Sequence, residues 1–283
     1  MIALVTGATG QLGFDLVLCL KERGYETLNP SRNELDFSDK NNVDAYFKNN
    51  KPDIVYHCGA WTAVDLAESE IQKCRKTNVD GTKYITEACS KLSIPILYVS
   101  TDYVFNGDGQ KPWEIDDITD PVNEYGLSKR DGEIIVSKYP KHFIVRISWV
   151  FGINGKNFIK TMLSLAKKTD TVRVVNDQIG ALTYTRDLSP LLIDITEKGH
   201  YGTYHAHNEG FCSWYNVAIK IFELSDIRMK IIPIPSSDYP LPAKRPLNSR
   251  LSMKSITDIG LDKLPRWEDA LSRFLNEISN TND

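Results

Sequence analysis

The stretch that decides the fold reads Ile96-Leu97-Tyr98-Val99-Ser100-Thr101, followed further on by Asn123-Glu124-Tyr125-Gly126-Leu127-Ser128-Lys129. The first run is apolar and β-branched, so it predicts a buried strand that ends in two hydroxyl side chains. The second run predicts the start of a helix that carries Tyr125 and Lys129 on one face, one turn apart. An ammonium beside a phenol favours the phenolate, so we expect the pKa of Tyr125 to fall from its ordinary value of about 10. With the Thr101 hydroxyl bonded to the same substrate oxygen, the pattern indicates a proton-transfer site.

A glycine turn follows the first predicted strand. The strand Ile2-Ala3-Leu4-Val5-Thr6 leads into Gly7-Ala8-Thr9-Gly10-Gln11-Leu12-Gly13, and an apolar helix then extends through Leu20. Glycines at this spacing allow a tight turn and let a pyrophosphate approach the N-terminus of the helix. The spacing is G-x-x-G-x-x-G rather than the G-x-G-x-x-G of the usual dehydrogenase fingerprint. The predicted cofactor contacts here are Gly7, Gly10, Gln11, Leu12 and Gly13.

The first half of the chain alternates strand and helix patterns. Further strands are predicted at Tyr25–Leu28, Ile54–Cys58 and Phe143–Ile147, and a long helix over Ile71–Lys91. This alternation predicts an α/β fold with a doubly wound parallel sheet of the Rossmann type, which binds ligands at the carboxyl ends of its strands.

The glycine turn, the strand-end Thr101 and the pair of Tyr125 and Lys129 together resemble the extended short-chain dehydrogenase/reductase superfamily. A strand near Tyr201–Ala206 is expected to return to the large sheet. The expected domain limits are 1–150, with about 181–208 returning to it, for the dinucleotide-binding domain, and 151–180 with 209–283 for a smaller, mostly C-terminal substrate-binding domain.

Composition describes an ordinary globular protein. The 283 residues are 41% hydrophobic and 25% charged with a net charge of −3, which gives no electrostatic argument for a nucleic-acid or anionic-membrane partner. No apolar run approaches the roughly 20 residues of a membrane span. The five scattered cysteines predict reduced thiols, and Met1 leads straight into a strand, so we expect a cytoplasmic protein.

The end of the second strand bears on the choice of cofactor. An acidic side chain there would bind the ribose hydroxyls of NADH and repel a 2′-phosphate. This chain has the neutral Asn29 instead, followed by Ser31 and Arg32, which could hold a phosphate. NADPH is therefore favoured, with NADH as the alternative if Arg32 is only a solvated loop charge. Further along the chain, Asp36 and Phe37 could lie along the edge of the adenine.

The turn after the third strand continues the predicted site. Small residues at Gly59 and Ala60 let backbone approach the pyrophosphate and the nicotinamide ribose, and Trp61 to Val64 would face the substrate crevice. The remaining predicted cofactor contacts are Ala60, Trp61, Thr62 and, on the fourth strand, Val99.

Later segments resemble the dTDP-4-dehydrorhamnose reductase family over nearly the whole chain. The matching segments are 55–68, 100–105, 146–150, 176–178 and 239–246. The resemblance implies reduction of dTDP-4-dehydro-L-rhamnose to dTDP-L-rhamnose with NAD(P)H. It implies that Tyr125 is the proton donor, that Lys129 activates it and binds the ribose, and that Thr101 binds the carbonyl. The implied substrate contacts are Val64, Thr101, Asp102, Tyr103 and Trp149.

The resemblance also bears on metals and assembly. Members of the family can bind Mg²⁺ at a dimer interface through acidic residues. Asp15 matches one such ligand, but Arg186 stands where another carboxylate is expected, so we predict no bound metal. The resemblance allows a homodimer, and it implies a small-molecule nucleotide sugar as the partner.

Two features of the second half of the chain each allow two interpretations. Lys244 and Arg245, in the proline-rich run 231–246, could lie over the diphosphate of the substrate or belong to a structural wrap. His205 and His207 share one face of a strand and could form a metal pair, but no cysteine or carboxylate set accompanies them at ligand spacing.

Three functions remain open on the sequence. The first is the reductase. The second is a nucleotide-sugar dehydratase or epimerase of the same fold, although a dehydratase would place Glu directly after Asp102, where this chain has Tyr103. The third is a non-catalytic cofactor-binding subunit, like the reductase-like regulatory subunit of animal methionine adenosyltransferase.

Overall fold

The computed structural model describes residues 1–281. Its strands are β1 (Ile2–Thr6), β2 (Glu26–Leu28), β3 (Ile54–His57), β4 (Ile96–Thr101), β5 (His142–Ile147), β6 (Val150–Phe151), β7 (Thr171–Val175), β8 (Ile179–Gly180), β9 (Thr183–Tyr184), β10 (Gly202–Ala206), β11 (Asn208–Glu209), β12 (Cys212–Ser213), β13 (Lys230–Ile234), β14 (Asn248–Ser249) and β15 (Leu264–Arg266).

The α-helices are α1 (Gln11–Glu22), α2 (Lys40–Asn50), α3 (Val64–Ser69), α4 (Ile71–Arg75), α5 (Thr82–Leu92), α6 (Glu124–Val136), α7 (Phe158–Ala166), α8 (Thr185–Lys198), α9 (Trp214–Leu224), α10 (Lys254–Thr257) and α11 (Trp267–Thr281). Short 3₁₀ turns span Asp102–Val104 and Ser236–Asp238. Within the described residues, no helix is long and apolar enough to cross a membrane.

The central sheet confirms the predicted doubly wound α/β fold. Its strands lie in the order β10-β5-β4-β3-β1-β2, and every neighbouring pair is parallel. The chain moves from β1 outward to β2 on one side and then to β3 on the other. The crevice between the carboxyl ends of β1 and β3 is therefore the topological switch point, where ligands of such sheets bind.

Alternate residues of β1 supply two separate cores. Ala3 and Val5 face the cluster that contains Leu16 of α1 and Leu192 of α8. Leu4 points the other way, into the cluster that also includes residues of α2, α5 and α6. Since successive side chains of a strand point to opposite faces, the apolar run of β1 requires helices on both sides of the sheet.

A third core lies in the second half of the chain, where α7, α9 and α11 pack around the small sheet of β7 and β13. Pro233 lies in β13, which pairs only with β7, so its missing N–H falls on an edge. Strand β10 joins the large sheet beside β5, as predicted for Tyr201–Ala206. The domain limits themselves stay a prediction.

The predicted long helix over Ile71–Lys91 is interrupted. A π-helical segment, Lys76–Gly81, separates α4 from α5. It contains Asn78, whose side chain accepts from the backbone N–H of Trp61 at 2.7 Å and donates to its carbonyl oxygen at 3.1 Å. The wider π-helical turn thus places the Asn78 amide where it holds the loop after β3. Such π-bulges occur frequently at functional sites.

Candidate active site

A crevice of about 790 Å³ lies at the carboxyl ends of the central strands. This volume is within the range of about 300–1,000 Å³ typical of small-molecule sites. The predicted site residues that line it are Gly7, Gly10, Gln11, Leu12, Gly13, Arg32, Asp36, Phe37, Ala60, Trp61, Thr62, Val64, Val99, Thr101, Asp102, Tyr103, Tyr125, Lys129 and Trp149. Asn29 is an exception: its side chain is exposed, and the neighbouring Pro30 lines the crevice instead.

The glycine turn packs directly on the loop that follows β3. Gly7 has φ +67°, and a Cβ there would lie 2.7 Å from the Cα of Gly59. A Cβ on Gly13 would lie 2.3 Å from the carbonyl oxygen of Gly7. The hydroxyl of Thr6 accepts from the Gly59 N–H at 3.1 Å and joins the two loops. Backbone N–H groups at the start of α1 are thus left accessible to a diphosphate.

A segment of the second half covers this turn. The side chain of Asn154 donates to the carbonyl oxygen of Thr9 at 2.7 Å, and that of Asn157 donates to Gln11 Oε1 at 3.0 Å. Lys156, from the same segment, lines the crevice and brings a cation close to the turn. The sequence analysis missed Lys156, although its position in a Gly/Asn-rich loop was a signal.

Phe37 bounds the end of the crevice where the sequence predicts an adenine. Cβ atoms on Gly59 and Gly81 would each come within 2.6 Å of its ring, so the ring fits closely between two backbones. The side chain of Arg32 is 82% exposed and lies 4.0 Å from Asp36 Oδ2. The Ser31 hydroxyl donates to Glu34 at 2.8 Å. Arg32 is therefore free to turn towards a ligand, whereas Ser31 is already engaged.

Lys129 and Tyr125 share one face of α6, whose first turn is capped by Asn123. The Lys129 ammonium donates to the Val99 carbonyl oxygen at 2.8 Å, and no hydrogen bond joins it to Tyr125 within residues 1–281. Burial lowers the pKa of Lys129 to about 7. Burial also raises the pKa of Tyr125, and the Asp102 charge adds to the increase, while a hydrogen bond with Thr101 opposes it.

The expected fall in the pKa of Tyr125 is therefore wrong for this structure. The phenol is partly buried, and the nearby Lys129 ammonium is bonded to Val99. Desolvation disfavours the charged phenolate and is the largest influence on its pKa. As a consequence, Tyr125 carries its proton at neutral pH, which is the form that a proton donor requires.

Thr101 and Asp102 leave β4 side by side. The Thr101 hydroxyl donates to Asp102 Oδ1 at 3.0 Å and accepts from the Tyr103 N–H at 3.2 Å. Asp102 is 2% exposed, and burial raises its pKa to about 6. The Asp102 Oδ2 atom is buried, and a hydrogen bond between Ser249 and the carboxyl group partly offsets the effect of burial on its pKa. The carboxyl group is thus held by protein groups at the wall of the crevice.

Two indoles meet where the two halves of the chain face each other. Trp149 has a positive φ of 44° and stacks on Trp214, with ring centroids 3.8 Å apart. Trp214 is the first residue of α9, follows the helix cap Ser213, and packs against Phe158 at 4.6 Å. Both indoles line the crevice, and the sequence analysis named only Trp149.

The basic residues of the proline-rich run are engaged in structural contacts. Arg245 forms a two-point ion pair with Asp65 of α3, at 2.6 and 2.8 Å. The carbonyl oxygen of Lys244 accepts from Asn123, the cap of α6. Neither residue lines the crevice. These contacts favour the structural wrap over a diphosphate site.

The two strand histidines are buried among protein groups. His205 Nε2 lies 3.3 Å from Arg146 Nη1, and the ring nitrogens of His207 face two backbone carbonyls at 2.7 and 2.8 Å. Beside Asp15, Arg186 forms an ion pair with Glu277. Among residues 1–281, no group of three or more His, Cys, Asp or Glu side chains is arranged to hold a metal.

Comparison with known proteins places the chain in a family. A family model described as "RmlD substrate binding domain" matches residues 1–280. The "Spore coat polysaccharide biosynthesis protein SpsK" of Bacillus subtilis is 40% identical over 282 residues, with 99% of each chain covered. The dTDP-4-dehydrorhamnose reductase of Aggregatibacter actinomycetemcomitans is also 40% identical, over 96% of this chain and 97% of its own.

A solved structure shows the same architecture. The dTDP-4-dehydrorhamnose reductase of Bacillus anthracis, in complex with NADP, superposes with a TM-score of 0.95 at 35% identity, covering 98% of this chain and 99% of that one. The match extends over both halves and includes the crevice described above. On these grounds the chain belongs to the RmlD family, that of the dTDP-4-dehydrorhamnose reductases.

Proposed function

We propose that this protein is an oxidoreductase that uses NADPH to reduce the C4 ketone of dTDP-4-dehydro-L-rhamnose, giving dTDP-L-rhamnose for surface polysaccharide synthesis. The observation that carries the proposal is the placement of a protonated Tyr125 beside Thr101, in a crevice continuous with the glycine turn. Relatives at 40% identity and a structural relative in complex with NADP support it.

The residues present fit a dinucleotide. Gly7 and Gly13 leave no room for a Cβ, so the turn can bring bare backbone N–H groups to a diphosphate. Phe37 offers a flat apolar surface for adenine, and the exposed Arg32, 4.0 Å from Asp36 Oδ2, offers a cation for a 2′-phosphate. Ala60, Trp61 and Thr62 would hold the middle of the cofactor, and Val99 and Lys129 its nicotinamide ribose.

The chemistry of the chain's own residues is proton transfer and orientation. NADPH, when bound, supplies the hydride that a ketone needs to become an alcohol. Tyr125 donates the proton that the developing alkoxide takes up, and Thr101 donates a hydrogen bond to the same oxygen. Lys129 holds the ribose and, while charged, stabilises the phenolate that Tyr125 leaves behind.

The sugar end of the crevice, as we assign it, combines apolar walls with the Asp102 carboxyl group. Trp149, Trp214 and Val64 present apolar surface suited to the less polar side of a 6-deoxyhexose. Asp102 and Tyr103 line the same end of the crevice, and we assign them contacts with the sugar hydroxyls.

Two other functions remain to be distinguished by experiment. Solved UDP-glucose 4-epimerases share the fold at 18–19% identity, which concerns the fold alone. An elimination of water would need an acid–base pair, and the residue after Asp102 is the phenol Tyr103. A non-catalytic subunit would have no need of a proton donor with a raised pKa. We also propose a cytoplasmic location and a homodimer.

The test is a single incubation of the purified protein with deuterium-labelled NADPH and dTDP-4-dehydro-L-rhamnose. We expect one NADP⁺ per sugar converted and the label at C4 of dTDP-L-rhamnose. Conversion of sugar without net consumption of NADPH would favour an epimerase or dehydratase. Binding of NADPH without turnover of any dTDP-4-keto sugar would favour the non-catalytic subunit.

A further inference from the structure

A buried ion pair lies on α6 one helical turn beyond Lys129. Glu133 follows Lys129 by four residues, so both side chains share one face of the helix. Arg146, on β5, donates to both oxygens of the Glu133 carboxylate, each at 2.9 Å. The two side chains are 7% exposed. This two-point contact fixes the carboxylate on the same face of α6 as Lys129.

The Lys129 ammonium has few partners of its own. It donates to the Val99 carbonyl oxygen and lies 4.0 Å from the centroid of the Tyr98 ring. A lysine ammonium has three donors, and Lys129 is 2% exposed. A buried cation so placed depends on the negative face of an aromatic ring and on any nearby carboxylate.

Several titratable groups surround this ammonium. Burial lowers the pKa of Lys129 to about 7, and the Glu133 charge is the strongest influence that opposes the decrease, followed by Cys58 and Cys74. Burial lowers the pKa of His57 to about 3, so this ring is neutral. Burial raises the pKa of Cys58 to about 12 and also raises that of Cys74, so both thiols are protonated. Glu133 is therefore the anion that acts on Lys129.

We propose that Tyr98 and Glu133 are positioning residues that favour the cationic form of Lys129, with Arg146 holding the Glu133 carboxylate in place. The role assigned to Lys129 rests on the proposed function. The charge has two uses there: the ammonium binds the nicotinamide ribose, and it stabilises the phenolate of Tyr125 after proton transfer. Without these neighbours, a smaller fraction of Lys129 would be charged near pH 7.

The first test measures NADPH binding by fluorescence titration from pH 6 to pH 9. In wild type, affinity should fall as Lys129 loses its proton with rising pH. Loss of the Glu133 charge lowers the pKa of Lys129 further. In Glu133→Gln we therefore expect the affinity for NADPH to fall at a pH about one unit lower than in wild type. The matched control is Asp187→Asn, which breaks the two-point ion pair of Asp187 with Arg273, at 2.8 and 2.7 Å, away from the crevice.

Tyr98 supplies a second test that does not remove a buried charge. Tyr98→Phe keeps the ring face and should bind NADPH as wild type does. Tyr98→Leu removes the ring and should weaken binding at pH 7 by about 5- to 30-fold, the range for a lost cation–π contact in a desolvated site. The pair decides the role of the ring even if Glu133→Gln fails to fold.

The outcomes are distinct. A lower thermal midpoint with an unshifted pH profile in Glu133→Gln, or an equal shift in Asp187→Asn, would make the ion pair merely structural and overturn its proposed role. Equal binding by Tyr98→Phe and Tyr98→Leu would overturn the role of the ring. The titrations need no sugar, so failure of the reductase assay would leave them interpretable.

Discussion

The indole of Trp149 stacks on the indole of Trp214, with ring centroids 3.8 Å apart and planes 13° from parallel. The first residue follows β5 of the large sheet, and the second begins α9 in the second half of the chain. A Cβ on Gly180 would lie 2.7 Å from Trp149 Cε2, so the indole is held between this glycine and Trp214. The proposed sugar wall is thus a pair of stacked rings that both pack against the core of the second half of the chain.

The first prediction follows from this pair. Trp214→Ala should raise the KM for the sugar about 10-fold, as expected for a lost aromatic contact, while the Kd for NADPH stays unchanged. Trp149→Ala should have the same effect. Trp214→Phe should retain most of the affinity. The control is Trp267→Phe, which alters a buried indole of the third core outside the crevice. A raised Kd for NADPH in Trp214→Ala would contradict the assignment.

The second prediction concerns proton donation. Tyr125→Phe should lower kcat at least about 100-fold, the low end for a lost general acid, with NADPH binding nearly unchanged. Tyr139→Phe, which removes the bond from Tyr139 to the Ile94 carbonyl away from the crevice, is the control and should affect only stability. Retention of wild-type turnover by Tyr125→Phe would remove the residue from this role.

The third prediction concerns the 2′-phosphate. Arg32→Ala should weaken NADPH binding about 10- to 150-fold, because a charge-assisted contact contributes about 1.5–3 kcal/mol. NADH binding should change little. The exposed Arg173, which pairs with Asp238 in the second half, provides the matched Arg173→Ala control. Equal small effects on both cofactors would leave Arg32 in solvent.

The fourth prediction is a pH dependence of stability. Burial raises the pKa of Asp102 to about 6, above its unfolded value, so the folded protein binds this proton more tightly. This tighter proton binding stabilises the folded protein fully below about pH 4, and the stabilisation is lost as the pH rises through 6. At pH 7.5 the buried carboxylate therefore costs on the order of 2–3 kcal/mol.

Asp102→Asn should raise the thermal midpoint by a few degrees at pH 7.5 and by much less at pH 4.5. It should also lower kcat/KM for the sugar, because an amide replaces the carboxylate. Differential scanning calorimetry at the two pH values checks the first effect, and steady-state kinetics checks the second. An equal change in the midpoint at both pH values would contradict the pKa argument.

Much of the fold and of the candidate site could be predicted from the sequence alone, because it depends on local geometry. The apolar run of β4, the glycines at 7, 10 and 13, and the four-residue spacing of Tyr125 and Lys129 depend only on strand and helix periods and on backbone sterics. These signals determined the parallel sheet and the place of the ligand crevice. The predicted site residues other than Asn29 line that crevice, but Lys156 and Trp214 were not predicted.

Tertiary packing decided the rest. The Lys129 ammonium bonds to Val99, and burial sets the pKa of Tyr125, because the depth of a side chain depends on everything packed above it. Trp214 lines the crevice and stacks on Trp149, and the ion pair with Asp65 holds Arg245 away from it. No local period encodes contacts between residues so far apart in the chain, so only the folded structure reveals them.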